Sequence, residues 1–239
     1  MSGSTSGGAS GGGEPGARPS WTVTWATGSA AAFHARGVPP VPTREVEVLQ
    51  VERPALVLGS TQPGADADAA ALEAAGVALV RRRSGGGAVL LEPGGATWVD
   101  VVLPADDPLW SDDVGIAFHW LGRAWAAALA QLGIEGAAVH EGPLHTTRWS
   151  RLVCFAGLGP GEVTVGGAKV VGIAQRRTRA GARFQCALLH RWDPAAITSL
   201  LALGPDDRSQ AATDLGGVAT GVDVAPDDAV DALVDHLPR

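Results

Sequence analysis

Lys169 is the only lysine in this chain; the rest of its 18 basic residues are arginines. An ammonium group is a compact donor that can hold a carbonyl oxygen or exchange a proton, whereas the guanidinium is a planar fork that stays charged. Lys169 is therefore the first candidate for chemistry, in the run GGAKVVGIAQRR. Two thiols, Cys154 and Cys186, come next. A thiolate can take an acyl group from a thioester and pass it to an amine, splitting one transfer into two easier exchanges. Cys154 lies in the apolar run LVCF, so it reads as either a nucleophile or an inert core thiol; Cys186 reads as structural. The third feature is the run from Arg81 to Val89, RRRSGGGAV. Its three glycines, Gly85, Gly86 and Gly87, would let backbone amides approach a ligand, and Arg81, Arg82 and Ser84 would add donors for a carboxylate, phosphate or acyl carbonyl. It is neither a P-loop nor a dinucleotide fingerprint. The histidines show no metal-ligand spacing, which argues against a metal, and His140 or His145 could serve Cys154 as a base.

These residues need elements to position them. REVEVLQV and ALVL read as two strands split by Pro54, and VALV as a strand after a helix spanning Asp66 to Ala75 that Gly76 ends. AVLLE and TWVDVVLP read as a hairpin around Pro93 to Gly95. A long helix is expected from Asp112 to Leu132, with Leu121, Trp125 and Leu129 on one face, Ser111 as its cap and Gly133 as its stop. RLVCFA, EVTV, KVVGIA and RFQCALL read as further strands, the middle two joined by a hairpin turn at Gly166 and Gly167. Helices should begin at Asp193-Pro194 and run from Asp227 to Leu237. This order suggests an α+β domain with a mixed β-sheet flanked by helices.

The composition narrows the function. A net charge of -7 argues against nonspecific nucleic-acid binding, and no apolar run approaches the length of a membrane span. The glycine- and serine-rich start, residues 1–18, reads as a disordered tail without a signal peptide, leaving 19–239 as one domain. Two cysteines in a chain with no export signal fit a reducing cytoplasm.

Four stretches give the chain a family resemblance: LVLGSTQ, VRRRSGGGAV, GGAKVVGIAQRR and RFQCALL, in that order. It resembles the biotin/lipoate A/B protein ligase family over roughly residues 45 to 192. The resemblance implies a single class II synthetase-like domain and a cytoplasmic enzyme that places octanoyl or lipoyl groups on a lysine of a lipoyl carrier domain, such as the glycine cleavage H protein or a 2-oxoacid dehydrogenase E2. It implies an acyl pocket shaped by Arg81, Arg82, Ser84 and Gly85 to Gly87 with Gly172 and Ala174, and Lys169 on the acyl carbonyl. In the family's cysteine-dependent octanoyltransferases a Cys-Phe pair stands 15 residues before the lysine, as Cys154-Phe155 does here. That implies a Cys154 thioester, acyl carrier protein as donor and no cofactor. The alternatives are an ATP- and Mg-dependent ligase using free lipoate, or a non-catalytic binder. The chain departs from the family's pattern at Leu91-Glu92 and Cys186-Ala187, where a His-Asp and a His-Gly pair are usual, and only a short segment follows Trp192.

Overall fold

A computed structural model describes residues 20–239, so the expectation for residues 1–18 lies outside the described residues. The chain opens with β1 (Thr22–Gly28), α1 (Ala30–Ala35), β2 (Glu45–Val51) and β3 (Ala55–Leu58). It continues with α2 (Ala69–Ala75), β4 (Ala78–Arg81), β5 (Val89–Leu91), β6 (Ala96–Pro104) and α3 (His119–Gln131). Next come β7 (Ala137–Val139), β8 (Val163–Val165), β9 (Ala168–Arg177) and β10 (Gly181–Leu189), then α4 (Pro194–Ser199), α5 (Pro205–Asp214) and α6 (Pro226–His236).

The strands form two sheets. Seven make a mixed sheet in the order β1-β2-β6-β10-β9-β8-β7, with β1 and β2 parallel, and three make a small sheet in the order β4-β3-β5. Pro54 interrupts the run after β2, and β3 then turns into the second sheet, since proline supplies no ladder donor. The expected β5–β6 hairpin is not formed: β5 pairs with β3, whereas β6 pairs with β2 and β10. The Gly166-Gly167 hairpin between β8 and β9 is present, both glycines having positive φ as such a turn requires.

The helices differ from expectation mainly at their starts. The long helix begins at His119 rather than Asp112, because the Ser111 hydroxyl donates to the Asp113 carbonyl and caps nothing. Leu121, Trp125 and Leu129 are buried against the large sheet, packed with Val230 and Leu233 of α6. α2 begins at Ala69 rather than Asp66, with Asp68 as its cap accepting from the Ala71 amide, and Gly76 ends it in the left-handed conformation. The sequence reading missed β1, α1, β7 and α5; α4 and α5 cover the small sheet through Ile197, Leu201 and Leu215. RLVCFA is not a strand. It forms a turn and a short 3-10 helix over Cys154–Ala156, with one isolated backbone bridge from Val153 to Ala88. Among the described residues no helix is long and apolar enough to cross a membrane.

A third core cluster joins the two sheets through Phe33, Leu49, Val57, Leu91 and Trp98. Beneath it lies a buried charge group: Asp100 accepts from the Trp98 indole (2.7 Å) and from Arg183 (3.0 Å), and Arg183 also pairs with Glu47. Burial pushes the Asp100 carboxyl up from 3.8 to about 6, against the opposing pull of Arg183. A carboxyl whose folded value lies above its unfolded one stabilises most when protonated, and that contribution is lost as pH rises through 6. Lowering the pH from 7 to 5 should therefore raise wild-type stability relative to Asp100→Asn by about 1 kcal/mol. Chemical denaturation of both proteins at the two pH values checks this, and a constant difference would contradict it.

Candidate active site

The site forms where the glycine loop after β4 meets the turn that carries Cys154. Ala88 donates to the Leu152 carbonyl (2.7 Å), and the Cys154 amide donates to the Ala88 carbonyl (2.9 Å). This apposition needs glycine at 87: a Cβ there would stand 2.5 Å from the Val153 nitrogen. A Cβ on Gly86 would lie 3.5 Å from the Cys154 sulfur, so the sulfur faces the loop. Among the described residues, the amides of Gly85, Gly86 and Gly87 donate no hydrogen bond, and the buried Ser84 hydroxyl oxygen has no partner. Unused donors next to a nucleophile are what a developing oxyanion requires.

The arginines brace this loop. Arg82 is buried and donates to the carbonyls of Val57 (3.2 Å), Gly85 (2.7 Å) and Gly87 (2.8 Å). Arg81 donates to the carbonyls of Gly59 (2.8 Å) and Gln62 (2.5 Å) and lines neither cavity of the site. The hydrogen bonds that both make go to backbone carbonyls, so both shape the loop, and only Arg82 reaches a cavity wall.

Lys169, on β9, is 2% exposed. Its Nζ lies 2.7 Å from Glu162 Oε1 and donates to the carbonyls of Gly157 (3.1 Å) and Cys154 (3.4 Å), 4.7 Å above the Phe155 ring. The amine thus grips the backbone of the cysteine turn. Glu162 is held in place by the amides of Gly159 (2.7 Å) and Ile173 (3.2 Å), which satisfies a buried carboxylate that would otherwise be costly. Gly172 leaves room for this packing, because a Cβ there would sit 3.1 Å from the Phe155 ring and 3.3 Å from Lys169 Cε.

Two cavities meet at these residues. One is an apolar slot of about 80 Å³ between the sheets, lined by Val57, Leu91, Trp98, Phe155, Gly172 and Cys186 among others. The other is a wide cleft of about 790 Å³ bordered by Ser84 to Gly87, Arg151 and Lys169. Cys154, Glu162, Ile173 and Ala174 line both and so mark the junction. Leu91 becomes apolar wall, and burial pushes the Cys186 thiol far up, which makes it inert. Neither His140 nor His145 borders either cavity, and His140 Nε2 is engaged with the Pro143 carbonyl (2.8 Å).

Sequence reasoning missed Glu162 and His34. Glu162 stands seven residues before Lys169 at the mouth of the β8–β9 hairpin, and that pairing was the signal that could have found it. His34 sits in an alanine-rich stretch, AAAFHA, and nothing local marks it.

The architecture is the fold of lipoate protein ligases. It is similar to a bi-partite lipoate protein ligase from Thermoplasma acidophilum, with a TM-score of 0.69 at 18% identity, covering 92% of this chain and 82% of that one. It is also similar to a lipoate-protein ligase A bound with ATP, with a TM-score of 0.60 at 18% identity, covering 91% and 83%. At these identities the likeness concerns the fold alone. The model of the lipoyl protein ligase A/B catalytic domain matches residues 37–237, and the chain belongs to that family.

Within the family the chain is similar to octanoyltransferase LipM of Kyrpidia tusciae, 31% identical over 180 residues, covering 73% of this chain and 63% of that protein. It is also similar to octanoyltransferase LipM of Moorella thermoacetica, 37% identical over 114 residues, covering 46% and 40%. The matches thus span less than two thirds of the length of either relative.

Proposed function

We propose that residues 19–239 form one catalytic domain that moves an octanoyl or lipoyl group onto a lysine of a lipoyl carrier domain through a Cys154 thioester. The observation that carries this reading is the junction itself: Cys154 lies where a slot with the apolar lining a fatty tail requires opens into a wide cleft that can admit a carrier arm. In the first step the Cys154 sulfur attacks the carbonyl of an acyl carrier protein thioester. The new S–C bond replaces the old one, and the carrier thiol leaves with the proton. In the second step the acceptor amine attacks, the Cys154 sulfur departs, and the amine's proton returns the thiol. The unused glycine-loop amides are the donors we assign to the oxyanion of each step, and Lys169 fixes the cysteine turn through the Cys154 and Gly157 carbonyls.

The octanoyltransferase names of the relatives support this reading, and a lipoyl domain as acceptor fits the bi-partite ligase of Thermoplasma acidophilum, which forms a lipoylation system with its E2 lipoyl domain. A cytoplasmic setting fits two free thiols. An ATP- and Mg-dependent ligase is the alternative reading: Arg82 is committed to backbone carbonyls, but Arg148 and Arg151 border the cleft. The protein should transfer octanoyl from octanoyl-acyl carrier protein to a lipoyl domain without ATP, and should show no pyrophosphate exchange with ATP and lipoate or octanoate. Exchange above background would instead establish the ligase.

A further inference from the structure

The slot contains a feature that a hydrocarbon tail does not explain. His34 is 9% exposed and lies against Trp98 with ring centroids 4.6 Å apart and the planes tilted by 34°, and neither of its ring nitrogens has a hydrogen-bond partner among the described residues. Two of its polar neighbours are already committed. The Trp98 indole donates to Asp100, and Arg82 donates to three carbonyls. Burial, reinforced by the Arg82 charge, pushes the imidazole down to about 4, so at neutral pH it carries one donor and one acceptor. Leaving such groups buried and unmet costs free energy, and an exception of this kind calls for an explanation.

Its place in the slot gives one. Cys154, Glu162, Ile173 and Ala174 border both the slot and the cleft, whereas His34 and Trp98 border the slot and not the cleft, on the side away from that junction. Gln185 also lines the slot. We infer that His34 is a specificity-determining residue, selecting acyl tails that carry a hydrogen-bonding heteroatom, as the sulfur-bearing lipoyl chain does, over the plain octanoyl chain. This rests on the slot being the acyl site.

Titration calorimetry with octanoate, lipoate and 8-hydroxyoctanoate tests it on wild type, His34→Leu and His34→Gln. The hydroxy acid supplies the strongest donor and acceptor. The preference for 8-hydroxyoctanoate over octanoate should fall about fivefold in His34→Leu, the worth of one net hydrogen bond, and persist in His34→Gln. Lipoate should shift in the same direction. His34→Leu should unfold no more easily than wild type, since it removes unmet polar atoms. An unchanged ratio in His34→Leu would overturn the inference, solvent rather than ligand then meeting the imidazole. Selective tail binding without any Cys154 acylation would uphold the role of His34 while sinking the transferase reading; acylation with an unchanged ratio would do the reverse.

Discussion

Lys169→Met is expected to lower acyl transfer on the order of 10²- to 10³-fold, the loss typical of removing one group that stabilises or positions a transition state. It should also reduce stability by about 3 to 5 kcal/mol, because it strips the partner from a buried carboxylate. The pair qualifies as buried: the Lys169 and Glu162 side chains are 2% and 9% exposed and stand 2.7 Å apart. A second substitution separates the two losses. Adding Glu162→Gln to Lys169→Met removes the stranded charge and should recover most of the stability while transfer stays low, because nothing then grips the Cys154 and Gly157 carbonyls. Denaturant unfolding and single-turnover transfer on the four proteins of the cycle give the answer. Recovery of transfer along with stability would reduce Lys169 to a structural counter-ion.

Gly87→Ala should be nearly as damaging, for a steric reason. The added methyl would fall 2.5 Å from the Val153 nitrogen and 2.6 Å from the Leu152 carbonyl carbon, both backbone atoms that cannot rotate away. The glycine loop and the cysteine turn must then separate, weakening the Ala88–Leu152 and Cys154–Ala88 hydrogen bonds that aim the sulfur. Overpacking of this kind costs about 1 to 3 kcal/mol. Transfer should fall further than that stability loss alone accounts for, since the oxyanion donors move with the loop. Gly85→Ala is the steric control, with nothing within 4 Å of its Cβ, and its unfolding midpoint should stay close to wild type. Equal midpoints for both variants would contradict the close approach at Gly87.

Local sequence carried some of this and tertiary contact carried the rest. Lys169 stood out because no other lysine competes with it, the glycine run announced a close backbone approach, and the Gly166-Gly167 turn fixed the hairpin that presents Lys169. The leucines and tryptophan of α3 repeat at helical spacing, so its buried face was readable, whereas its start was not: Asp113 accepts from the Gly115 amide in a turn that competes with helix. The run around Cys154 has the apolar composition of a strand, yet Gly87 presses against it and the chain curls into a 3-10 turn, a consequence of contact with residues about 65 positions away. Arg81 and Arg82 looked like ligand groups because their charge is visible in sequence and the carbonyls they brace are not. Glu162 was within reach of the hairpin prediction, whereas His34 reaches the site only through the fold.

The central claim is that Cys154 accepts the acyl group. Mixing the protein with octanoyl-acyl carrier protein and reading its intact mass tests this directly. An octanoyl adduct should appear, vanish on treatment with hydroxylamine, and be absent from Cys154→Ser. An unmodified wild-type protein, or an adduct that survives in Cys154→Ser, would contradict the account.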